Sequence, residues 1–222
     1  MPTTPTLGRS LPRPALRTIR LLGLLLAVEL ALVAGYVLAT GSAILSVRHA
    51  AYPFVWVNVA ILAVRAVDVP APTTRRSAVA GGVAVGYLVV LGWTSGLIGA
   101  GSGGALSARL VPAFPGWGPV VLVDGPISLA LVPFETIGYL SLSVLVYVGV
   151  ARAAAGVLSG LVGLVTCVSC VGPVIAAVLS GLVGGASTAI VGATTGAYAY
   201  DFSTALFVLT VAALWRTLGL GR

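Results

Sequence analysis

The sequence predicts an all-α integral membrane protein, a bundle of about six transmembrane helices. Three observations carry that class. The chain has 222 residues, of which 59% are hydrophobic and only 8% charged, with a mean hydropathy of +1.12. A soluble domain carries about a quarter charged residues. The apolar runs reach the ~20 residues a helix needs to cross a hydrocarbon core. Most charges fall between those runs rather than inside them. A chain this apolar cannot cover its surface in water, so the lipid bilayer is its expected solvent and first partner. The stretches between runs are each shorter than about 30 residues, too short for a self-stabilising soluble domain.

Residues 1–19 form a polar, basic tail with Arg9, Arg13 and Arg17. The run "LLGLLLAVELALVAGYVLA" follows, longer than the apolar part of a signal peptide and interrupted by Glu29. It is expected to be a retained first span over 20–40. The second span covers 51–67, with Tyr52 and Trp56 suited to an interfacial belt. The third covers 78–98. Residues 99–126 are rich in Gly and Pro and carry Phe114 and Trp117, which predicts an external loop lying at the interface. A lid over an external cavity is its other reading. The fourth span covers 127–150 and stops at Arg152.

From 153 to 215 the chain is almost continuously apolar. As one helix it would be about 95 Å long, against a hydrocarbon core of roughly 30 Å. It must therefore cross at least twice, as a fifth span over 153–184 and a sixth over 189–215, with Gly184, Gly185 and Ser187 at the turn. Together the spans make 20–216 one transmembrane domain.

Charge placement tests the count. Six spans put the N-tail, Arg75, Arg76, Arg152, Arg216 and Arg222 on one side, and by the positive-inside rule that side is the cytoplasm. Arg48 and Arg109 fall outside. The expectation is a multi-pass protein of the cell membrane with both termini cytoplasmic. The net charge is +7 and all twelve basic residues are Arg. Because they separate apolar segments and do not form one surface, nucleic acid is not an expected partner. Gly156/Gly160, Gly181/Gly185 and Gly192/Gly196 have the spacing that lets helices approach closely, within the bundle or against another membrane subunit.

The segment most suggestive of chemistry is "TCVSCVGP", residues 166–173. On a continuous helix Cys167 and Cys170 share one face. Gly172 and Pro173 interrupt that helix, because Pro173 lacks an N–H and clashes with the carbonyl of Ser169. Pro173 also suits the first position of a new half-helix, so the fifth span is expected to be broken there. Thiols at the positive end of a half-helix are favoured as thiolates, the reactive and metal-binding form. Burial in apolar surroundings opposes this. The plain alternative is two small apolar residues beside a packing kink. A zinc ribbon is excluded, since there is no second cysteine pair and His49 is the only histidine.

"CVGPVIAAVL", residues 170–179, resembles the Cys-[Ile/Val]-Gly-Pro-[Ile/Val] helix of the CcdA/DsbD transmembrane thiol-disulfide carriers. That resemblance implies Cys170, with Cys167, as redox cysteines, Pro173 as the helix breaker, and a thioredoxin-like partner. The CcdA/DsbD pair lies on two separate helices, whereas Cys167 and Cys170 share one segment. "CVSCVGP" is also similar to the Cys-Cys-x-Gly-Pro element of MerT-type mercury transport proteins. That implies Cys167 and Cys170 as ligands of Cu(I) or another soft metal, with a copper protein as partner; paired thiolates suit such ions. A non-catalytic membrane subunit or scaffold is the third reading.

Two carboxylates fall inside expected spans, Glu29 in the first and Glu135 in the fourth. Intramembrane carboxylates are costly, and each is a candidate proton or cation site. Asn58 is expected to tie the second span to a neighbour, and Asp201 to mark a boundary. The sequence has no phosphate-binding loop, nucleophile elbow or HExxH motif, so hydrolase and ATPase readings have no support.

Overall fold

The computed structural model describes residues 13–69, 74–153 and 199–218. Among them the chain is mostly helical: α1 (Arg13–Thr40), α2 (Val47–Arg65), α3 (Thr74–Thr94), α4 (Pro133–Ala153) and α5 (Ala199–Thr217). Four stretches, Leu16–Thr40, Val47–Arg65, Ser77–Thr94 and Pro133–Arg152, are long and apolar enough to cross a membrane. The expected fifth span beyond Ala153, with Cys167, Cys170, Gly172 and Pro173, lies outside the described residues, as does the sixth up to 198.

The all-α expectation fails between α3 and α4. Residues that read as a loop over 99–126, and the beginning of the expected fourth span, build a four-stranded antiparallel sheet. Its strands are β1 (Ile98–Ala100), β2 (Ser107–Val111), β3 (Val120–Asp124) and β4 (Ile127–Leu131), in the order β1-β4-β3-β2. The physical reason lies in "VVLVD" and "ISLAL", two short apolar runs flanking Gly125-Pro126. Each is too short to span, but the two pair across a turn, Val121 opposite Leu131 and Val123 opposite Leu129. Pro133 then takes the first position of α4, where a missing N–H costs nothing. One continuous apolar run is thus divided into a strand and a helix.

The β3–β4 turn is held by charge. The backbone N–H of Ser102 donates to Asp124 Oδ1 at 3.2 Å, and that of Gly125 at 3.0 Å. The Ser102 bond leads in holding the Asp124 carboxyl below its ordinary range.

Helix α4 is the centre of the bundle, packed against α2, α3 and α5. Phe134, Leu145 and Val148 are fully buried. Trp56 of α2 stacks on Phe207 of α5 at 4.2 Å between ring centroids and meets Phe134 edge-on. This approach requires glycine at 138, where a Cβ would lie 2.3 Å from Trp56 Cε3. Ser143 of α4 donates to the Ala84 carbonyl of α3 at 2.8 Å, a buried tie between helices. Among the described residues, helix α1 packs chiefly on α2, and none of them covers most of its apolar surface.

The sheet lies at one end of the bundle. Tyr36 near the end of α1 both donates to and accepts from the backbone of Ala113, at 2.8 Å each way. Trp117 reaches the start of α2, and α3 and α4 run directly into β1 and out of β4. Arg65, Arg152 and Arg216 lie in the last turns of α2, α4 and α5, at the end of the bundle away from the sheet. There Arg152 donates to the carbonyls of Asp68 and Leu218.

Candidate functional site

Glu135 sits in the first turn of α4, next to Phe134, which anchors the helix against Trp56. The partial positive charge of the helix start favours a carboxylate there. Its exposure is 8%, so it is a buried carboxyl inside a candidate span. The hydroxyl of Tyr200, in the first turn of α5, makes a hydrogen bond with it. Tyr139, one turn along α4, is hydrogen-bonded with Ser95 at the end of α3.

Beside these groups lies a cavity of about 320 Å³. Glu135, Tyr139 and Tyr200 line it, and Ser95, Ser203 and Thr210 add hydroxyls. Trp56, Phe202 and Phe207 complete an aromatic wall. Among the described residues that line it, none is basic.

A polar rim fixes α5 against α2 at the mouth. Arg48 forms an ion pair with Asp201, and the Tyr52 hydroxyl donates to Asp201 at 2.7 Å while accepting from Arg48 Nε at 2.9 Å. The Tyr52 ring stacks on Tyr200 with centroids 5.9 Å apart. Deeper in, Trp56 Nε1 donates to Thr204 at 2.9 Å. Asp201 is therefore more than a boundary marker, since it ties the start of α5, beside Tyr200, to Arg48 and Tyr52 of α2.

Above the rim sits Trp117, and its place follows from Pro53. A proline inside a helix leaves the carbonyl four residues back without its N–H partner, here that of His49. The Trp117 indole N–H donates to that carbonyl at 2.8 Å. Gly116, with φ +91°, allows the backbone to turn there, close to Pro53. The Trp117 ring then packs on Tyr200, at 4.4 Å, and on Phe134, at 5.3 Å.

Glu29 has a different environment. Asn58 Nδ2 donates to Glu29 Oε2 at 2.7 Å and to the Phe54 carbonyl at 2.8 Å, tying α1 to α2. Glu29 Oε1 and Asn58 Oδ1 are buried without a hydrogen-bond partner. The two carboxylates share no partner: Glu29 pairs with an amide, Glu135 with a phenol beside a cavity. Among the described residues no three His, Cys, Asp or Glu side chains gather as a metal site. Cys167, Cys170, Gly172 and Pro173 lie outside the described residues.

A family model described as a family of unknown function, DUF7546, matches residues 1–219. The chain belongs to DUF7546. No curated protein and no solved structure matches it. The family match runs through the cysteine segment as well as through every described helix, so both candidate regions of this DUF7546 chain fall inside it.

Sequence reasoning singled out Glu135 but missed Tyr139, Tyr200 and Trp117 as its surroundings. Tyr139 was available as the next turn of the same helix. Pro53 was the available signal for Trp117, because an interrupted helix needs an outside donor. Nothing local connects Tyr200 with Glu135, since only the packing of α5 on α4 joins them.

Proposed function

We propose that this DUF7546 chain is a multi-pass protein of the cell membrane, with cytoplasmic termini, that binds a proton or a cation at Glu135. One observation carries the site: a buried carboxyl in a candidate span, hydrogen-bonded to Tyr200, borders a cavity with no basic lining residue among those described. A carboxyl buried in an apolar segment beside a cavity is placed to take up and release a positive charge. The arginines at the end of the bundle away from the sheet support the orientation by the positive-inside rule.

A hydrophobic carbodiimide, which modifies protonated carboxyls, tests the site in purified protein. Modification of Glu135, mapped by mass spectrometry, is expected to fall as pH rises and as cations are added. Labelling that is absent, or constant from acid to alkaline pH with and without cations, rejects this reading.

A second reading rests on the "CVSCVGP" element, residues 167–173, and its resemblance to thiol-disulfide carriers. It makes Cys167 and Cys170 a pair cycling between dithiol and disulfide, or a soft-metal pair for Cu(I). Alkylation that differs between reduced and oxidised protein supports the redox form. Near-stoichiometric Cu(I) lost in Cys167→Ser supports the metal form. Thiols inert in both assays remove this reading.

A further inference from the structure

We infer that the Glu135 cavity takes a small organic ammonium ion carrying apolar substituents, an inference that rests on the proposed Glu135 site and narrows its ligand. Size is the first argument. The cavity is about 320 Å³, and a liquid water occupies roughly 30 Å³, so it is far larger than one dehydrated ion requires. It falls within the range of small-molecule pockets.

Charge is the second. Glu135 is the sole carboxyl among the described lining residues, and no basic residue among them joins it. Arg48, the nearest arginine along the rim, is paired with Asp201 and hydrogen-bonded to Tyr52. An anion would meet a carboxylate with nothing to offset it. A hard divalent cation would need six or more oxygen ligands, several of them carboxylate or water. The described lining offers one carboxyl and scattered hydroxyls.

The wall is the third argument. Tyr139, Tyr200, Trp56, Phe202 and Phe207 line the same cavity as the carboxyl. Aromatic rings attract a cation whose charge is spread over alkyl groups, and they accommodate those groups without needing hydrogen bonds. A carboxyl beside an aromatic wall thus selects for a cation that is apolar outside, such as a tertiary or quaternary amine. Inorganic ions, strongly hydrated and compact, gain little from such a wall.

Benzyltrimethylammonium, its neutral isostere neopentylbenzene, and sodium or potassium chloride are the probes. Each is titrated into the full-length protein in nonionic detergent, reading binding by calorimetry and protection of Glu135 from carbodiimide by mass spectrometry. Benzyltrimethylammonium is expected to bind saturably and to protect Glu135. Its affinity is expected to fall ~10-fold or more in Glu135→Gln and to weaken in Phe202→Leu, a fold-change equal to one charge or ring contact. Phe202 is 48% exposed, so its replacement leaves the fold in place even if Glu135→Gln does not fold. Equal binding of neopentylbenzene overturns the inference. Protection by sodium or potassium as strong as by the ammonium also overturns it, while leaving Glu135 as a cation site. An unlabelled Glu135 with no ammonium binding removes both readings together.

Discussion

Helices α1 and α4 each carry one carboxylate in an apolar run, yet their surroundings are opposite. The α1 run is the more hydropathic, and none of its central window is buried by described residues. In α4 half of that window is buried. Hydropathy therefore reports the solvent a helix tolerates, and small residues report what it packs against. Leu24, Leu30 and Leu32 of α1 are left exposed by the described residues. Helix α4 brings Gly138 against Trp56 and Ser143 against the α3 backbone, contacts that depend on shape. Without a hydrophobic difference between lipid and protein interior, close packing and hydrogen bonds are what hold helices together. The carboxylates follow suit: Glu29 is tied to one amide at the edge of the bundle, and Glu135 is set among aromatics at its centre.

The sharpest way to break this comparison is a matched pair of glycines. Gly138→Val forces a side chain into Trp56, and overpacking of this kind costs roughly 3 kcal/mol. The measured effect is expected as a clear fall in thermal midpoint and in resistance to denaturant in micelles. A midpoint near wild type would mean that the Trp56 contact does not organise the bundle.

The next effect concerns the sheet. Asp124 has a folded-state pKa below its ordinary value of 3.8, so it binds fewer protons folded than unfolded. Its contribution to stability is complete above that value and is lost as pH falls through the lower, folded one. Amide exchange at Ser102 and Gly125 is expected to quicken selectively in that acid window, and Asp124→Asn is expected to remove the pH dependence. Protection that is flat with pH in the wild-type chain would deny the turn its charge-held character.

The smallest effect is the control on α1. At Gly35 an added Cβ meets none of the described residues within 4 Å. Gly35→Ala is expected to be neutral or to stabilise by up to ~1 kcal/mol, through helix propensity alone. A loss comparable to that at Gly138 would show that α1 is as tightly packed as α4.

Much of the helical frame was legible in the sequence. Helices α1, α2 and α3 cover most of 20–40, 51–67 and 78–98, where apolar length, aromatic residues and arginines mark the same places. The sheet was not legible, because "ISLAL" runs into the apolar residues of α4 and its alternation, with Ser128 and Ala130 between Ile127, Leu129 and Leu131, is too short to stand out. Pro133 was the one boundary signal, and it reads equally as a kink within a span. Glu135 was legible as a carboxyl within an apolar run, and it lies in the first turn of α4. Its phenol partner was not, since Tyr200 is brought to it by tertiary packing that no spacing rule encodes. The fifth span and its cysteines lie outside the described residues, and the sequence alone speaks for them.

The donors on α2 have a consequence for biosynthesis. Tyr52 gives its hydroxyl proton to Asp201, and Trp56 its indole proton to Thr204, acceptors that lie 149 and 148 residues later in the chain. When α2 first leaves the translocation machinery, neither acceptor has been made. Unpaired donors in hydrocarbon are costly. The young bundle must therefore keep that face of α2 sheltered or wet until α5 arrives and closes it. A chain halted before Ala199 would lack both acceptors.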